Sequence, residues 1–473
     1  MTYFADTIAA MATAPGEAAI AVVRMSGPEA LRIGREFLRG TAGRALPRFT
    51  PRRAHLCELL DADGAPVDSA VVTWFQAPGS YTGEDILEIS VHGGFMASRT
   101  ALEQCLRRGA RPAQPGEFTL RAFLNGRLDL SQAEAVIDTV QAQTRAGLRL
   151  AHRQLTGSLA NRVQEIRAKA LGVLAQVEAA VDFPDDVEDP DRAALASEIE
   201  AASDLCRKLS AETRAGRIYR DGIRLVIMGR PNVGKSSLLN ALLREERAIV
   251  TALPGTTRDL IEEPLSIGGV PVRAVDTAGL RETEDPIERI GVERARSSIE
   301  AADILLLTLD RSEEIQQDDW LALQQTFGAR AVIVLNKCDL AGRWDAAWEA
   351  RGLRIGDRLV EGSSWPTAPP VVNAAAAPGE GIDRVEAAIL QTLFNGAVIA
   401  ADSLDAGSLR HGLALEQAAE SLDHARATAL SAAPLDLISV DIRGALQAVG
   451  QITGETAGDD LLHEIFSRFC IGK

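Results

Sequence analysis

Cysteine, lysine and long apolar runs are all scarce in this chain, and each scarcity excludes something. Five cysteines stand far apart at Cys57, Cys105, Cys206, Cys338 and Cys470. An odd, dispersed set fits neither a disulfide framework nor a zinc knuckle, so reduced thiols in a cytoplasmic protein are expected. No apolar stretch approaches the roughly 20 residues a membrane-crossing helix requires, and Met1 to Asp6 lack a basic leader region. A soluble protein with no membrane partner follows. Low-complexity segments and clear repeats are missing too. Lysine occurs only at Lys169, Lys208, Lys235, Lys337 and Lys473 among the 50 basic residues.

What is present is globular: 46% hydrophobic and 25% charged residues argue against long disorder. A chain of 473 residues exceeds one core, and domains of roughly 100 to 200 residues are expected. The net charge of −16 is uneven, because 14 Arg against 13 acidic residues leave 1–127 at +1 and the remainder at −17. A polyanion would therefore meet the N-terminal part or a partner protein.

Residues 1–127 are punctuated by Gly and Pro, with strand-like runs at 18–25, 53–60, 67–75 and 85–91 and helical patterns near 29–38 and 95–108. A compact α+β domain is the reading. In the last of these runs Leu87, Ile89 and Val91 share one face, and Glu88 can be a solvated strand residue. From Leu128 the texture turns to Ala-rich helix, opened by Ser131-Gln132-Ala133-Glu134 as a candidate capping box. Apolar residues from Leu148 to Val177 recur at three- and four-residue steps, predicting one long helix, which Phe183-Pro184 ends. A second helix is expected over 192–217, and helices return at 409–430, 435–450 and 461–469. Helices on both sides of an intact α/β region predict one helical domain with that region inserted into it. The boundaries are 1–127, 128–220, 221–385 and 386–473.

The inserted region, a doubly wound and mostly parallel α/β domain by its alternation of strands and helices, carries the chemistry. Gly229-Arg230-Pro231-Asn232-Val233-Gly234-Lys235-Ser236 fits G-x-x-x-x-G-K-[ST] between an apolar run, 223–228, and a helical one. Backbone N–H groups of such a loop cradle phosphates, Lys235 reaches the β- and γ-phosphates, and Ser236 can hold Mg²⁺. Asp276-Thr277-Ala278-Gly279 follows a strand and offers a carboxylate near the metal. Gly255, Thr256 and Thr257 lie in a loop with hydroxyls for metal and phosphate. Asn336-Lys337-Cys338-Asp339 follows the apolar 332–335. A buried carboxylate at Asp339 would accept two hydrogen bonds from guanine and stay unpaired against adenine. Backbone N–H groups at Ala375, Ala376 and Ala377 can meet the base.

These motifs resemble the translation-factor-like branch of small G proteins, but Leu280 stands where Ras-like enzymes place a water-orienting Gln. Over the whole chain, residues 6–16, Ser80 to Asp85, His92 to Gly94, Pro115 to Phe118, Arg121 to Asn125, Leu128 to Glu134 and the ending Phe469 to Lys473 resemble the bacterial and organellar tRNA-modification GTPase family MnmE, also called TrmE. The resemblance implies a GTPase that works with a flavin-dependent partner, MnmG, on carbon-5 of the wobble uridine of certain tRNAs. It implies 5,10-methylenetetrahydrofolate or a related folate as carbon source, a homodimer and a heterotetramer with the partner. It implies folate contacts at Arg24, Glu88, Arg127 and Lys473, although lysine is expected where Arg127 stands. Its GTP contacts fall on Asn232, Val233, Gly234, Lys235, Ser236, Ser237, Thr251, Ala252, Leu253, Pro254, Gly255, Thr256, Thr257, Asp276 to Gly279, Asn336, Lys337, Asp339 and Ala375 to Ala377. Mg²⁺ falls to Ser236 and Thr257, K⁺ to Asn232, Thr251, Leu253 and Thr256, and catalytic roles to Glu288 and Cys470. A cation beside the phosphates would supply charge that an arginine finger supplies elsewhere. A ribosome-assembly GTPase is the alternative, but it needs a basic RNA-binding appendage and the C-terminal half is acidic. A membrane-remodelling relative would need a basic amphipathic tip.

Overall fold

Alternating apolar residues in the N-terminal region build a seven-stranded sheet in the order Leu38–Gly40, Ala54–Leu60, Pro66–Phe75, Ile86–His92, Ile20–Ser26, Ile8–Met11, Arg111–Pro112. Neighbours are antiparallel except the last pair, which is parallel. Leu87, Ile89 and Val91 are buried against helices Ala30–Phe37 and Phe95–Arg107, through Ile33, Phe37, Ala101 and Cys105. Burial pushes the Cys57 and Cys105 thiols up, to about 11 and about 12, so both behave as packing groups. The computed structural model describes residues 6–245, 262–276, 297–396, 404, 407–431 and 433–473. It resolves into two compact units, 1–137 with 155–200 and 420–473, and 138–154 with 201–419.

Three short strands and one helix of the first unit escape the periodicity reading. The strands Ile8–Met11, Leu38–Gly40 and Arg111–Pro112 are too brief to show alternation. Helix Glu117–Leu124 hides because it buries Glu117 and Arg121 alongside Phe118 and Ala122. Helices Ser158–Asp182 and Leu435–Thr453 pack together although they flank the α/β region in sequence. Gln164 reaches Glu455 and Arg443 reaches Glu178, so the two run antiparallel.

Two helical expectations are corrected. The single helix over 148–177 is two, Arg145–Leu155 and Ser158–Asp182, because Gly157 adopts a left-handed φ of +89°. The apolar steps stay nearly in phase across that break, which conceals it. The capping box lies two residues earlier than expected: Asp129 accepts from the Gln132 N–H at 3.0 Å while Gln132 Oε1 accepts from the Asp129 N–H at 3.0 Å. Ser131 donates its hydroxyl to Asp129.

In the second unit six strands form a sheet in the order Val371–Asn373, Ala331–Asn336, Ile304–Asp310, Ile223–Met228, Val270–Asp276, Glu262–Ile267. All pairs are parallel except the final one. A separate antiparallel meander, Ala346–Glu349, Gly352–Ile355 and Arg358–Glu361, was not expected. Its strands are four residues long and interleaved with charges, and its apolar side is closed by Leu353, Ile355, Trp348 and Trp365. Among the described residues no helix is long and apolar enough to cross a membrane.

Candidate functional site

The strand Ile223–Met228 is buried except at Arg224 and runs directly into the glycine loop. Gly229 has φ +140° and Gly234 φ +99°. A Cβ would sit 2.3 Å from the Thr308 carbonyl oxygen at the first and 2.3 Å from Asn336 Nδ2 at the second. Both positions exclude a side chain twice over, by conformation and by space. Asn232 also takes a positive φ, +64°, a conformation Asn tolerates. Lys235 opens helix Lys235–Glu245 and is buried, and its Nζ donates to the carbonyls of Gly229 at 2.7 Å and Arg230 at 2.9 Å. The ammonium is thereby fixed over its own loop. Ser236 and Ser237 are exposed in the first helical turn, where N–H groups and the helix dipole favour phosphate. These features fit a nucleoside triphosphate with Mg²⁺.

On the base side, Asn336 ends a fully buried strand and joins two loops. Its Nδ2 donates to the Val233 carbonyl at 2.7 Å, and its Oδ1 accepts from the Ala376 N–H at 3.0 Å. Lys337, at φ +62°, places Nζ 2.6 Å from Asp310 Oδ2. Burial alone would raise the Asp310 pKa, but hydrogen bonds from Lys337 and Ser312 and the lysine charge outweigh it and hold the carboxyl below its ordinary value. Asp339 is exposed, not buried as expected, because the strand stops at Asn336 and Asp339 lies in the following turn. It has no hydrogen-bond or ion-pair partner among the described residues, which leaves both oxygens available to a ligand. The Ala375 N–H is given to the Glu380 carbonyl at 2.9 Å and the Ala376 N–H to Asn336, so of the three expected donors only exposed Ala377 keeps its N–H.

Asp276 closes Val270–Asp276 and pairs by backbone register with Ile227, beside the glycine loop. Thr251, Ala252, Leu253, Pro254, Gly255, Thr256, Thr257, Thr277, Ala278, Gly279, Leu280 and Glu288 lie outside the described residues. Sequence reasoning overlooked Arg230, Asp310 and Asp319, which hold this site from behind. The available signal was that Asp310 ends a buried parallel strand, at the sheet edge where ligands bind.

A second constellation lies in the first unit. Arg24 and Glu88 face each other in register on antiparallel strands. Arg24 Nε and Nη2 both reach Glu88 Oε1, at 2.9 and 2.8 Å. Glu88 Oε2 has no partner among the described residues. Arg24 Nη1 also donates to the Gly472 carbonyl at 3.4 Å, and its guanidinium carbon lies 5.9 Å from the Tyr81 ring centre and 5.8 Å from that of Phe118. Gly472 has φ +98°, and a Cβ there would sit 2.1 Å from the Met11 carbonyl oxygen, so the tail is seated closely. Cys470 and Lys473 on either side of it are exposed. Arg127 is exposed, with Cγ near Gly83 of the Ser80 to Asp85 segment. A carboxylate with a free oxygen, an arginine and two aromatic rings fit a flat heterocycle bearing paired N–H groups.

A family model described as the MnmE helical domain matches residues 130–470, and one described as the GTP-binding protein TrmE N-terminus matches residues 7–127. The tRNA modification GTPase MnmE of Chloroflexus aurantiacus is 46% identical over 469 residues, covering 99% of this chain and 100% of that protein. The protein of the same description from Geobacter sulfurreducens is 45% identical over 475 residues, with full coverage of both. The chain belongs to the MnmE family of tRNA modification GTPases. Among solved structures, Era of Aquifex aeolicus is 26% identical with a TM-score of 0.26, covering 42% of this chain and 66% of that one.

In this MnmE-family chain the N-terminal motifs gather into one ionic knot. Arg121, with a fully buried side chain, pairs with Asp6 at 2.8 Å, Glu117 at 3.0 Å and Glu84 at 3.1 Å. Arg111 adds bonds to Asp6 and Glu117. Burial alone would raise the Glu117 pKa, yet bonds from Arg111, the Gln114 N–H and Arg121 together hold it below the ordinary carboxylate value. The knot ties the Ser80 to Asp85 segment to helix Glu117–Leu124, from which Tyr81 and Phe118 reach Arg24.

Proposed function

We propose that this GTPase is potassium-dependent and acts with a flavin-dependent MnmG partner. Together they add an aminomethyl or carboxymethylaminomethyl group to carbon-5 of the wobble uridine of certain tRNAs. A folate one-carbon unit, from 5,10-methylenetetrahydrofolate or a relative, supplies the carbon when bound. Arg24, Glu88, Arg127 and Lys473 would hold the folate, the basic groups on its carboxylates and Glu88 on its pterin N–H groups. Ser236 and Thr257 would hold Mg²⁺, and Asn232 with Thr251, Leu253 and Thr256 would hold K⁺. Glu288 would orient the attacking water through neighbours, a role Leu280 cannot fill. In this reading 1–127 is the folate-binding and dimer-forming domain, the GTPase domain of 221–385 is inserted between helical parts 128–220 and 386–473, and the homodimer forms a cytoplasmic heterotetramer with MnmG.

The observation that supports the reading is the Gly472 carbonyl of the Phe469 to Lys473 tail accepting from Arg24 of the Arg24–Glu88 pair, with Cys470 and Lys473 exposed on either side of Gly472. Deleting Cys470 to Lys473 should leave GTP turnover within about twofold while abolishing the modified uridine, since the tail belongs to none of the nucleotide motifs in the sequence. Nucleoside analysis of tRNA from cells carrying only the truncated protein is the measurement, with Cys470→Ser alongside to separate thiol from position. Full modification by the truncated form would end the proposal for this site.

A further inference from the structure

The stretch from Asp310 to Asp319 belongs to none of the recognised nucleotide motifs, yet it grips both ends of the nucleotide site. At its start, buried Asp310 accepts the Lys337 ammonium on Oδ2 at 2.6 Å, while its Oδ1 accepts from the Ser312 N–H at 2.9 Å and hydroxyl at 2.6 Å. At its end, buried Asp319 places Oδ2 3.2 Å from Arg230 Nε and takes the Gln316 N–H on the same oxygen at 3.0 Å. Between them Glu313 adds a second carboxylate to Arg230, at 2.6 Å from Nη2. The stretch is pinned to the base-side strand as well, since the Arg311 N–H donates to the Asn336 carbonyl at 3.1 Å.

Each grip acts on a lysine. Lys337 has a long flexible stem, and a carboxylate that holds its ammonium removes rotamer freedom before a nucleotide arrives. Arg230 is the second residue of the glycine loop, and its carbonyl is one of the two acceptors that fix Lys235 Nζ. Clamping the Arg230 guanidinium from behind restrains the residue whose carbonyl holds the Lys235 ammonium. We propose that Asp310 and Asp319 are positioning residues, Asp310 for Lys337 at the base and Asp319 for Lys235 at the phosphates, and that the stretch between them sets the spacing of the two subsites. The inference rests on the GTPase reading and adds residues to it.

The two grips should fail differently. Lys337 meets the base, which is the same in ground and transition states, so loosening it weakens binding uniformly. Lys235 meets phosphate oxygens whose charge shifts during transfer, so misplacing it lowers turnover more than binding. The full-length protein is used with fluorescently labelled GDP and GTP for affinity, saturating GTP for kcat, and thermal unfolding for stability. Asp310→Asn should weaken GDP and GTP alike by about tenfold to a hundredfold with kcat within about twofold. Asp319→Asn should lower kcat by about tenfold or more while GDP affinity moves less. Ser312→Ala and Glu313→Gln keep both buried charges and should reproduce the two patterns in milder form, which covers the case in which an Asp variant does not fold. Loss of all parameters together, in step with a lower unfolding midpoint, would mean that the stretch is only structural and would overturn the proposal. So would no change in any of them. Failure of the unaltered protein to bind labelled GDP would overturn the GTPase reading and the positioning roles together, whereas unsplit variants overturn the positioning roles alone.

Discussion

Asp339 shows how little of a residue's surroundings a motif conveys. The motif nominated Asp339 to read guanine, but its exposure depends on where the strand stops, and Asn336 is the residue that is buried and bonded to both loops. Asp339→Asn should place a donor where an acceptor stood and move preference from GTP toward xanthosine triphosphate, by roughly the 10⁴-fold scale set by a mispaired hydrogen-bonding group. Competitive binding of the two nucleotides measures it, and a variant that still prefers GTP shows that Asp339 does not read the base. Glu117 contributes to the acid sensitivity of the first unit, alongside Asp6, Glu58 and Asp68, which are also held below their ordinary values. Its folded pKa lies below the ordinary value, so its stabilising share is complete above about pH 4.3 and is lost as pH falls through the depressed folded value. Glu117→Gln should cost about 3 kcal/mol at neutral pH, the low end for breaking a buried pair because Arg121 keeps Asp6 and Glu84. It should also flatten the acid limb of the stability curve. Denaturant unfolding at a series of pH values reads both effects, and an unchanged acid limb would move the sensitivity elsewhere in the knot.

At the scale of elements, legibility followed length. The four longer strands of the first sheet and four of the five parallel strands of the second are readable because each repeats its pattern over six or more residues, whereas the three-residue Val371–Asn373 was legible only as the apolar end of the alternation of strands and helices. The meander at 346–361 and helix Glu117–Leu124 are not, the first because four-residue strands carry no period and the second because an ionic knot occupies positions where apolar residues would have signalled a buried face. The four residues expected at the folate site came from the family resemblance alone, and their company was not legible: that Tyr81 and Phe118 flank Arg24 follows from tertiary packing. In the proposed reading the tail is the element on which that site depends. Gly472→Ala would force a Cβ to 2.1 Å from the Met11 carbonyl in a left-handed conformation, so the tail must lift. The expected outcome is lost uridine modification with GTP turnover within about twofold of the unaltered protein. Faster alkylation of Cys470 in the variant would report the lifting directly, and full modification with a seated tail would refute the dependence.

For the whole molecule the open requirement is charge at the phosphates. Lys235 is committed to two carbonyls of its own loop, and the position after Gly279 holds apolar Leu280, so neither a polar water-orienting group nor an arginine finger is supplied by the recognised motifs. A monovalent cation held by carbonyl and amide oxygens would meet that need without a proton step. In the proposed reading Asn232 is one of its ligands, and it stands exposed within the glycine loop at φ +64°. GTP turnover at equal ionic strength should therefore be faster in KCl than in NaCl by about tenfold or more, the scale of one electrostatic contact in a transition state. Asn232→Ala should erase most of that difference while leaving the slow sodium rate nearly as it was. If the cation acts where two copies meet, turnover per molecule should also rise with protein concentration in KCl and stay flat in NaCl. Equal rates in the two salts for the unaltered protein would remove the cation from the mechanism and send the search for the missing charge to the partner protein.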